Sequence, residues 1–233
     1  RDVILQHFPD EFAEIQTTES INEAFRIIEN NPQDLLILDT HLPDGTALDL
    51  LRKVEMFDFR VIFLSGHDDY YQQAIHLAAV TFVYKPFDLS DLVIAIEKVF
   101  NDISEDEDQK KMEILLSNAD QPVSSQTVVF PDVNNGYAVP LSSILYGEAV
   151  AGGCIMHLEE EKDIFVPRPL RRYEQMFSDY AFFRCHPLFV VNLQKVEHLE
   201  ESTSSLILRG GVEIPLGEGK YEQVKLRFSQ AGL

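Results

Sequence analysis

The sequence predicts an α/β domain with a doubly wound parallel sheet, followed by a second domain that is mostly β. Three observations carry this. Across the first hundred residues, apolar runs alternate with amphipathic stretches, the pattern of strands exchanging with helices. Leu35-Leu36-Ile37-Leu38 runs straight into Asp39 and then the turn Pro43-Asp44-Gly45, which reads as a strand buried on both faces with a carboxylate at its carboxyl end. From Gln126 onward, short β-rich segments separated by turn residues replace that rhythm.

In chain order, Asp2 to Phe8 has the apolar spacing of a helix end that Pro9 and Asp10 close. Glu14 to Thr17 reads as a short strand, and Ser20-Ile21-Asn22-Glu23 as a capping box opening a helix through Ile28. After the Leu35 to Asp39 strand, Leu48, Leu50, Leu51 and Val54 give a helix its apolar face. Arg60 to Ser65 is the next strand, a helix follows from about Asp69 to Leu77, and Thr81 to Phe87 is a strand ending at Lys85 before a Pro. Leu92, Ile96 and Val99 mark the last helix of a domain spanning residues 1–100. Residues 101–125 carry the acidic run Asp102, Glu105, Asp106, Glu107 and Asp108, which reads as a solvated helix extension and linker. The second domain, residues 126–233, has predicted strands at Thr127 to Phe130, Ile144 to Tyr146, Cys154 to Leu158, Asp163 to Val166, Leu188 to Val191 and Leu206 to Leu208. Its helices are Pro169 to Phe177 and Lys220 to Phe228.

Composition excludes several classes. With 233 residues, 45% of them hydrophobic, the chain can furnish two cores. No apolar run approaches the roughly 20 residues that span a bilayer, and the start lacks the build of a signal peptide, so the expectation is a cytoplasmic protein without membrane contact. Cys154 and Cys185 have no CxxC spacing and read as two half-buried structural thiols; Cys185, between Arg184 and His186, is the candidate for a lowered thiol pKa and a redox role. His157, His186 and His198 have no metal-ligand spacing. The net charge of −20 is unevenly spread: 7 Lys/Arg against 18 Asp/Glu in residues 1–100, 2 against 7 in 101–125, and 10 against 14 in 126–233. The part nearest neutrality is the last third, where a polyanion would meet least repulsion.

Asp39, Ser65 and Lys85 stand at the carboxyl ends of three predicted parallel strands, the edge where such sheets bind ligands. A carboxylate, a hydroxyl and an ammonium converging there suit acyl-phosphate chemistry. The carboxylate attacks phosphorus, the ammonium neutralises the transferred oxygens, and the hydroxyl bonds a new phosphate oxygen. Leu35 to Gly45, Val61 to Asp68 and Phe82-Val83-Tyr84-Lys85-Pro86-Phe87 resemble the receiver domain of two-component response regulators, a flavodoxin-like fold. The resemblance implies that Asp39 is the phosphoacceptor, Ser65 the switch hydroxyl, Lys85 the phosphate-contacting lysine before a cis Pro86, and Phe82 the aromatic switch. It also implies Mg²⁺, bound by Asp39 and the backbone carbonyl of His41. Finally, it implies a first strand, upstream of this sequence, that ends in a metal-binding acidic pair.

Asp163 to Pro167, Arg168-Pro169-Leu170-Arg171-Arg172, and Phe182 to Leu193 with its Phe-Arg-x-His and Asn-Leu pieces resemble the LytTR DNA-binding domain. Together the two resemblances imply a LytR/AlgR-type regulator. A sensor histidine kinase would be its phosphodonor, phosphorylation would bring a homodimer, and promoter DNA would be the target. Basic candidates for DNA contact are Arg168, Arg171, Arg172, Arg184, Lys195, Lys220, Lys225 and Arg227, with His186 beside them. The family's groove-reading positions align near Gly152, Pro187 and Glu218, none with the usual side chain, and Leu188 replaces a small hydroxyl residue. Two readings therefore stand: a transcription regulator with altered or weakened DNA reading, and a phospho-regulated protein-interaction module. Nothing in the second domain assembles a nucleophile with a base, so no enzyme is expected beyond chemistry at Asp39.

Overall fold

A computed structural model of the chain describes residues 2–55, 58–66, 78, 80–101, 105–122, 125–130, 137–159, 162–177 and 180–231. Contacts divide the chain into two units, Arg1–Gln121 and Pro122–Leu233. The first unit runs α1 (Asp2–His7), α2 (Ile21–Asn30), β1 (Leu35–Asp39), β2 (His41–Leu42), β3 (Gly45–Thr46), α3 (Ala47–Leu51), β4 (Arg60–Ser65), β5 (Thr81–Tyr84), α4 (Leu89–Asn101) and α5 (Glu105–Asp120).

Strands β1, β4 and β5 form a parallel sheet in that order. Alternation along the strands covers both of its faces. Leu36, Leu38, Val61 and Phe63 pack with Ile21, Leu48, Leu51 and Val80, whereas Leu35, Ile37, Ile62 and Leu64 pack with Phe8, Ala95, Ile96 and Val99. The doubly wound reading is thus met, with two differences. Among the described residues β1 is paired on one side only, so Leu35, Leu36 and Ile37 are half-buried and only Leu38 is buried. Glu14 to Thr17 is not a strand: it has no ladder partner, and alternation without a partner leaves its backbone to solvent. The expected helix from Asp69 to Leu77 lies outside the described residues.

Helix caps also differ from expectation. Ser20 caps α2 by accepting from the Glu23 N–H at 3.4 Å, but the Glu23 carboxylate turns to the Thr18 hydroxyl at 2.6 Å, so the reciprocal bond is absent. The full capping box is Thr46 with Asp49 at the start of α3. Residues 101–125, expected as a solvated helix extension and linker, do contain a helix, α5, but it is not solvated throughout: Met112 and Leu115 are buried in the core with Ile21, Leu48 and Leu51. Ile114, Leu116 and Ala119 pack against the same core, an apolar face that the acidic charge count concealed.

The second unit runs β6 (Thr127–Phe130), β7 (Tyr137–Pro140), β8 (Ile144–Val150), β9 (Gly153–Leu158), β10 (Ile164–Val166), α6 (Leu170–Met176), β11 (Phe182–His186), β12 (Phe189–Asn192), β13 (Val196–Glu200), β14 (Ser205–Leu208), β15 (Glu213–Pro215) and α7 (Lys220–Ala231). A five-stranded antiparallel sheet in the order β10-β9-β8-β12-β11 is joined by a three-stranded β13-β14-β15 sheet and a β6-β7 pair. Phe183, Cys185, Val191, Leu206, Leu208, Ile214 and Val224 form one buried cluster that seats α7. Among the described residues no helix is long and apolar enough to cross a membrane.

Candidate functional site

In the first unit the parallel register places Asp39 opposite Leu64 and Ser65 opposite Tyr84, so the three strands end together. The Lys85 N–H donates to the Ser65 carbonyl at 2.8 Å, carrying that alignment one residue past β5. The peptide bond between Lys85 and Pro86 is cis, as expected. The Lys85 ammonium pairs with Oδ2 of Asp39, and the His41 N–H donates to Oδ1 at 3.2 Å. Each carboxylate oxygen thus has its own donor, which fixes the plane of the group. Side-chain exposures of 40% for Lys85 and 35% for Asp39 leave the pair open to a phosphodonor and screened by solvent. Ser65 is buried, and its hydroxyl donates to the Gly66 carbonyl at 3.1 Å. The Phe82 ring is half-buried and meets Tyr84 edge-on at 4.8 Å.

Sequence reasoning missed two supports of this pocket. Thr40 is buried beside Asp39, its N–H and hydroxyl both donating to the Leu64 carbonyl at 3.1 and 3.3 Å; a hydroxyl directly after a strand-end Asp was the available signal. Asp44 accepts from the Ile21 N–H at 2.9 Å and the Ser20 hydroxyl at 2.8 Å, tying the turn after β2 to the start of α2. Those donors hold the Asp44 carboxyl below its ordinary range. No local sequence signal pairs residues 23 positions apart.

The oxygen donors expected for Mg²⁺ are the Asp39 carboxylate and the main-chain carbonyl of His41. Among the described residues no group of three or more His, Cys, Asp or Glu is arranged to hold a metal ion. One carboxylate and one carbonyl fit the share that Mg²⁺ takes from a protein when phosphate and water oxygens complete its octahedron. These two donors are one part of the set that the resemblance implies, the other part being the acidic pair of the upstream strand.

In the second unit, three turns meet at one edge. The β8–β9 turn holds Ala151 and Gly152, the β11–β12 turn holds Pro187 and Leu188, and residues 216–219 lead into α7. The Ala149 N–H donates to the Leu188 carbonyl at 2.8 Å, and the Gly217 N–H to the Cys185 carbonyl at 2.8 Å. A Cβ at Gly217 would lie 3.4 Å from the Pro187 ring, so the two turns touch. At Gly153 a Cβ would come within 2.1 Å of the Val166 carbonyl, and only glycine lets β9 approach the end of β10, where Arg168 follows. The expected positions Gly152, Pro187 and Glu218 are thereby brought to one side, joined by Arg168.

The basic candidates separate into two groups. Arg168, Arg171 and Arg172 are exposed, and no ion pair to them exists among the described residues. Arg184, His186, Lys195, Lys220 and Arg227 make contacts within the fold. Arg184 donates to the His186 carbonyl at 2.9 Å and to the Pro187 carbonyl, and pairs with Glu174 at 3.4 Å. Nδ1 of His186 accepts the Leu188 N–H at 3.1 Å. Lys195 pairs with Glu159, whose carboxyl it holds below the usual range. Lys220 and Arg227 both lie over the Phe183 ring, at 5.2 and 4.8 Å, and Lys225 is exposed.

Cys154 and Cys185 are fully buried rather than half-buried. Burial raises the Cys154 thiol to about 11 and the Cys185 thiol to about 12, outweighing Arg184, so the redox alternative at Cys185 is overturned and its structural reading stands. His157 stacks on Tyr146 at 4.1 Å between Glu148 and Asp163, at 3.2 and 2.8 Å, a structural role as expected.

Residues 1–97 match the response regulator receiver domain family and residues 134–229 the LytTr DNA-binding domain family. The transcriptional regulatory protein LytR of Staphylococcus aureus (strain N315) is 23% identical over 233 residues, covering 92% of this chain and 87% of the relative. The sensory transduction protein LytR of Staphylococcus haemolyticus is 24% identical over 211 residues, covering 86% and 82%. Among solved structures, a LytTr DNA-binding domain of a putative methyl-accepting/DNA response regulator from Bacillus cereus aligns with 46% of this chain and 97% of its own, at 22% identity and a TM-score of 0.37. A response regulator receiver domain protein from Clostridium thermocellum aligns with 43% and 88%, at 28% identity and a TM-score of 0.35.

Proposed function

We propose, from the premise that this chain is a LytR/AlgR-type two-component response regulator joining a receiver domain to a LytTr DNA-binding domain, that Asp39 is its phosphoacceptor. The observation that carries this is the Lys85–Asp39 pair, which spans from the end of β5 to the end of β1, with Ser65 at the end of β4 between them. An Asp39 oxygen bonds phosphorus as the P–N bond to the kinase histidine breaks, leaving the imidazole with the kinase. Lys85 then neutralises a phosphate oxygen, and the His41 N–H keeps the carboxylate in plane. Asp39 and the His41 carbonyl would hold Mg²⁺, which when bound neutralises charge on the transferred oxygens. Ser65 turns its hydroxyl from the Gly66 carbonyl to the new phosphate, and Phe82 repacks into the space this frees.

The first unit, with α5 as part of its core, carries the receiver role, and the second unit binds promoter DNA, with a cytoplasmic site of action and phosphorylation-driven homodimers. Arg168, Arg171 and Arg172 contact phosphates, Arg184 and His186 position a turn, and Lys195 serves the fold. Ten Lys/Arg against fourteen Asp/Glu in that domain, with three of the ten assigned to phosphates, predict weak binding with a shallow salt slope. Transcriptional response regulators are typically non-enzymatic, and the proposed chemistry is confined to Asp39.

Acetyl phosphate or a sensor kinase should label the native chain, and Asp39→Asn should abolish labelling; retained labelling would sink the assignment. A salt titration of promoter DNA binding separates the two outputs. No salt-dependent affinity at low ionic strength would leave the protein-contact module.

A further inference from the structure

We propose that Leu188 and Glu218 read pyrimidines in the major groove, Leu188 by packing on a thymine 5-methyl group and Glu218 by accepting from a cytosine 4-amino group. This rests on the DNA-binding reading of the second unit and adds what that edge selects.

The first support is how the Leu188 tip is held. Its N–H donates to His186 Nδ1, its carbonyl accepts from the Ala149 N–H, and the two carbonyls before it accept from the Arg184 guanidinium. Such a turn has little freedom left to lose on binding. Yet the side chain it presents is apolar and 47% exposed, which burial of Leu in a core does not explain. An apolar group on a rigid tip has one feature to meet in the major groove, the thymine methyl.

The second support is what has been withdrawn. Arg184, the cation nearest the tip in sequence, is spent on main-chain carbonyls and Glu174, so it has little donor capacity for guanine O6 and N7. Glu218 lies in the loop seated on Pro187 through Gly217, is exposed, and has no hydrogen-bond or ion-pair partner among the described residues. A carboxylate is repelled by phosphates and by the acceptor edge of guanine, but cytosine offers a donor that it can accept from. Arg168, Arg171 and Arg172, beyond the turn that Gly153 closes, supply the phosphate contacts that carry no sequence information.

The test uses the full chain treated with acetyl phosphate. Duplexes are selected from a random pool at low ionic strength, and each thymine of the selected site is replaced by deoxyuridine, which removes only the methyl. At least one thymine should lose about fourfold in affinity, the worth of roughly one buried methyl group at about 0.8 kcal/mol. Leu188→Ala should bind thymine and deoxyuridine sites equally while keeping the salt slope. Glu218→Gln should lose the preference for cytosine at one position. Selected DNA that is indifferent to deoxyuridine everywhere, or a Leu188→Ala chain that still discriminates, overturns the inference alone. Failure to enrich any DNA overturns the DNA-binding reading and this inference with it.

Discussion

Arg184 shows how far a residue's type can be from its task. In the sequence it is a cation in a segment that resembles a DNA-binding motif; in the fold its guanidinium turns back on the carbonyls of its own hairpin, which requires the turn to exist first. Asp39, Ser65 and Lys85 are the opposite case. Asp39 and Ser65 end apolar strands and Lys85 follows one, so the alternation of strands with helices was enough to bring them to one edge. The redox alternative at Cys185 fails for a related reason: its sequence neighbours are polar, but in a strand they point away from it, and its own side chain enters the core with Val191 and Leu206. With its thiol pushed up to about 12, Cys185 should not react with an aromatic disulfide reagent at neutral pH in the native protein. Absorbance should report two thiols only after denaturant is added, and rapid native labelling at Cys185 would contradict its burial.

Among the elements, strands buried by neighbours on both sides were readable and those defined by partners were not. The run Arg60 to Ser65 sits mid-sheet, and its apolar continuity announces it. Tyr137–Pro140 and Glu213–Pro215 are strands because β6 and β14 lie beside them, and their own sequences are mostly exposed. Glu14 to Thr17 fails for want of the same thing. The core-facing side of helix α5 was hidden by its charge, since an apolar stripe of Met112, Leu115 and Ala119 occupies few of its residues. Replacing Leu115 by Ala should cost about 2–5 kcal/mol, the range for a buried leucine. Urea unfolding followed by circular dichroism measures it; a loss under about 0.5 kcal/mol, the scale of surface substitutions, would return the helix to solvent.

At the scale of the molecule, protons act on stability from both sides. Asp44, Asp49 and Glu159 are held below their ordinary range by backbone and side-chain donors, so the folded chain binds fewer protons than the unfolded one. Their contribution is present above about pH 4 and is lost as pH falls through the folded values. Cys154 and Cys185 are raised to about 11 and 12, so their contribution is complete below about pH 8.5 and lost as pH rises through those values. Urea midpoints should therefore form a plateau between these limits and decline beyond each. An Asp49→Asn chain should show a shallower acid limb, and an unchanged limb would remove that carboxylate from the account. The packing of α5 has one more consequence, for anyone dividing the chain. A fragment ended near residue 100, where the strand–helix alternation stops, would leave behind Met112 and Leu115 and bare the apolar faces of Leu48 and Leu51 that they adjoin. The natural place for scissors is after Gln121.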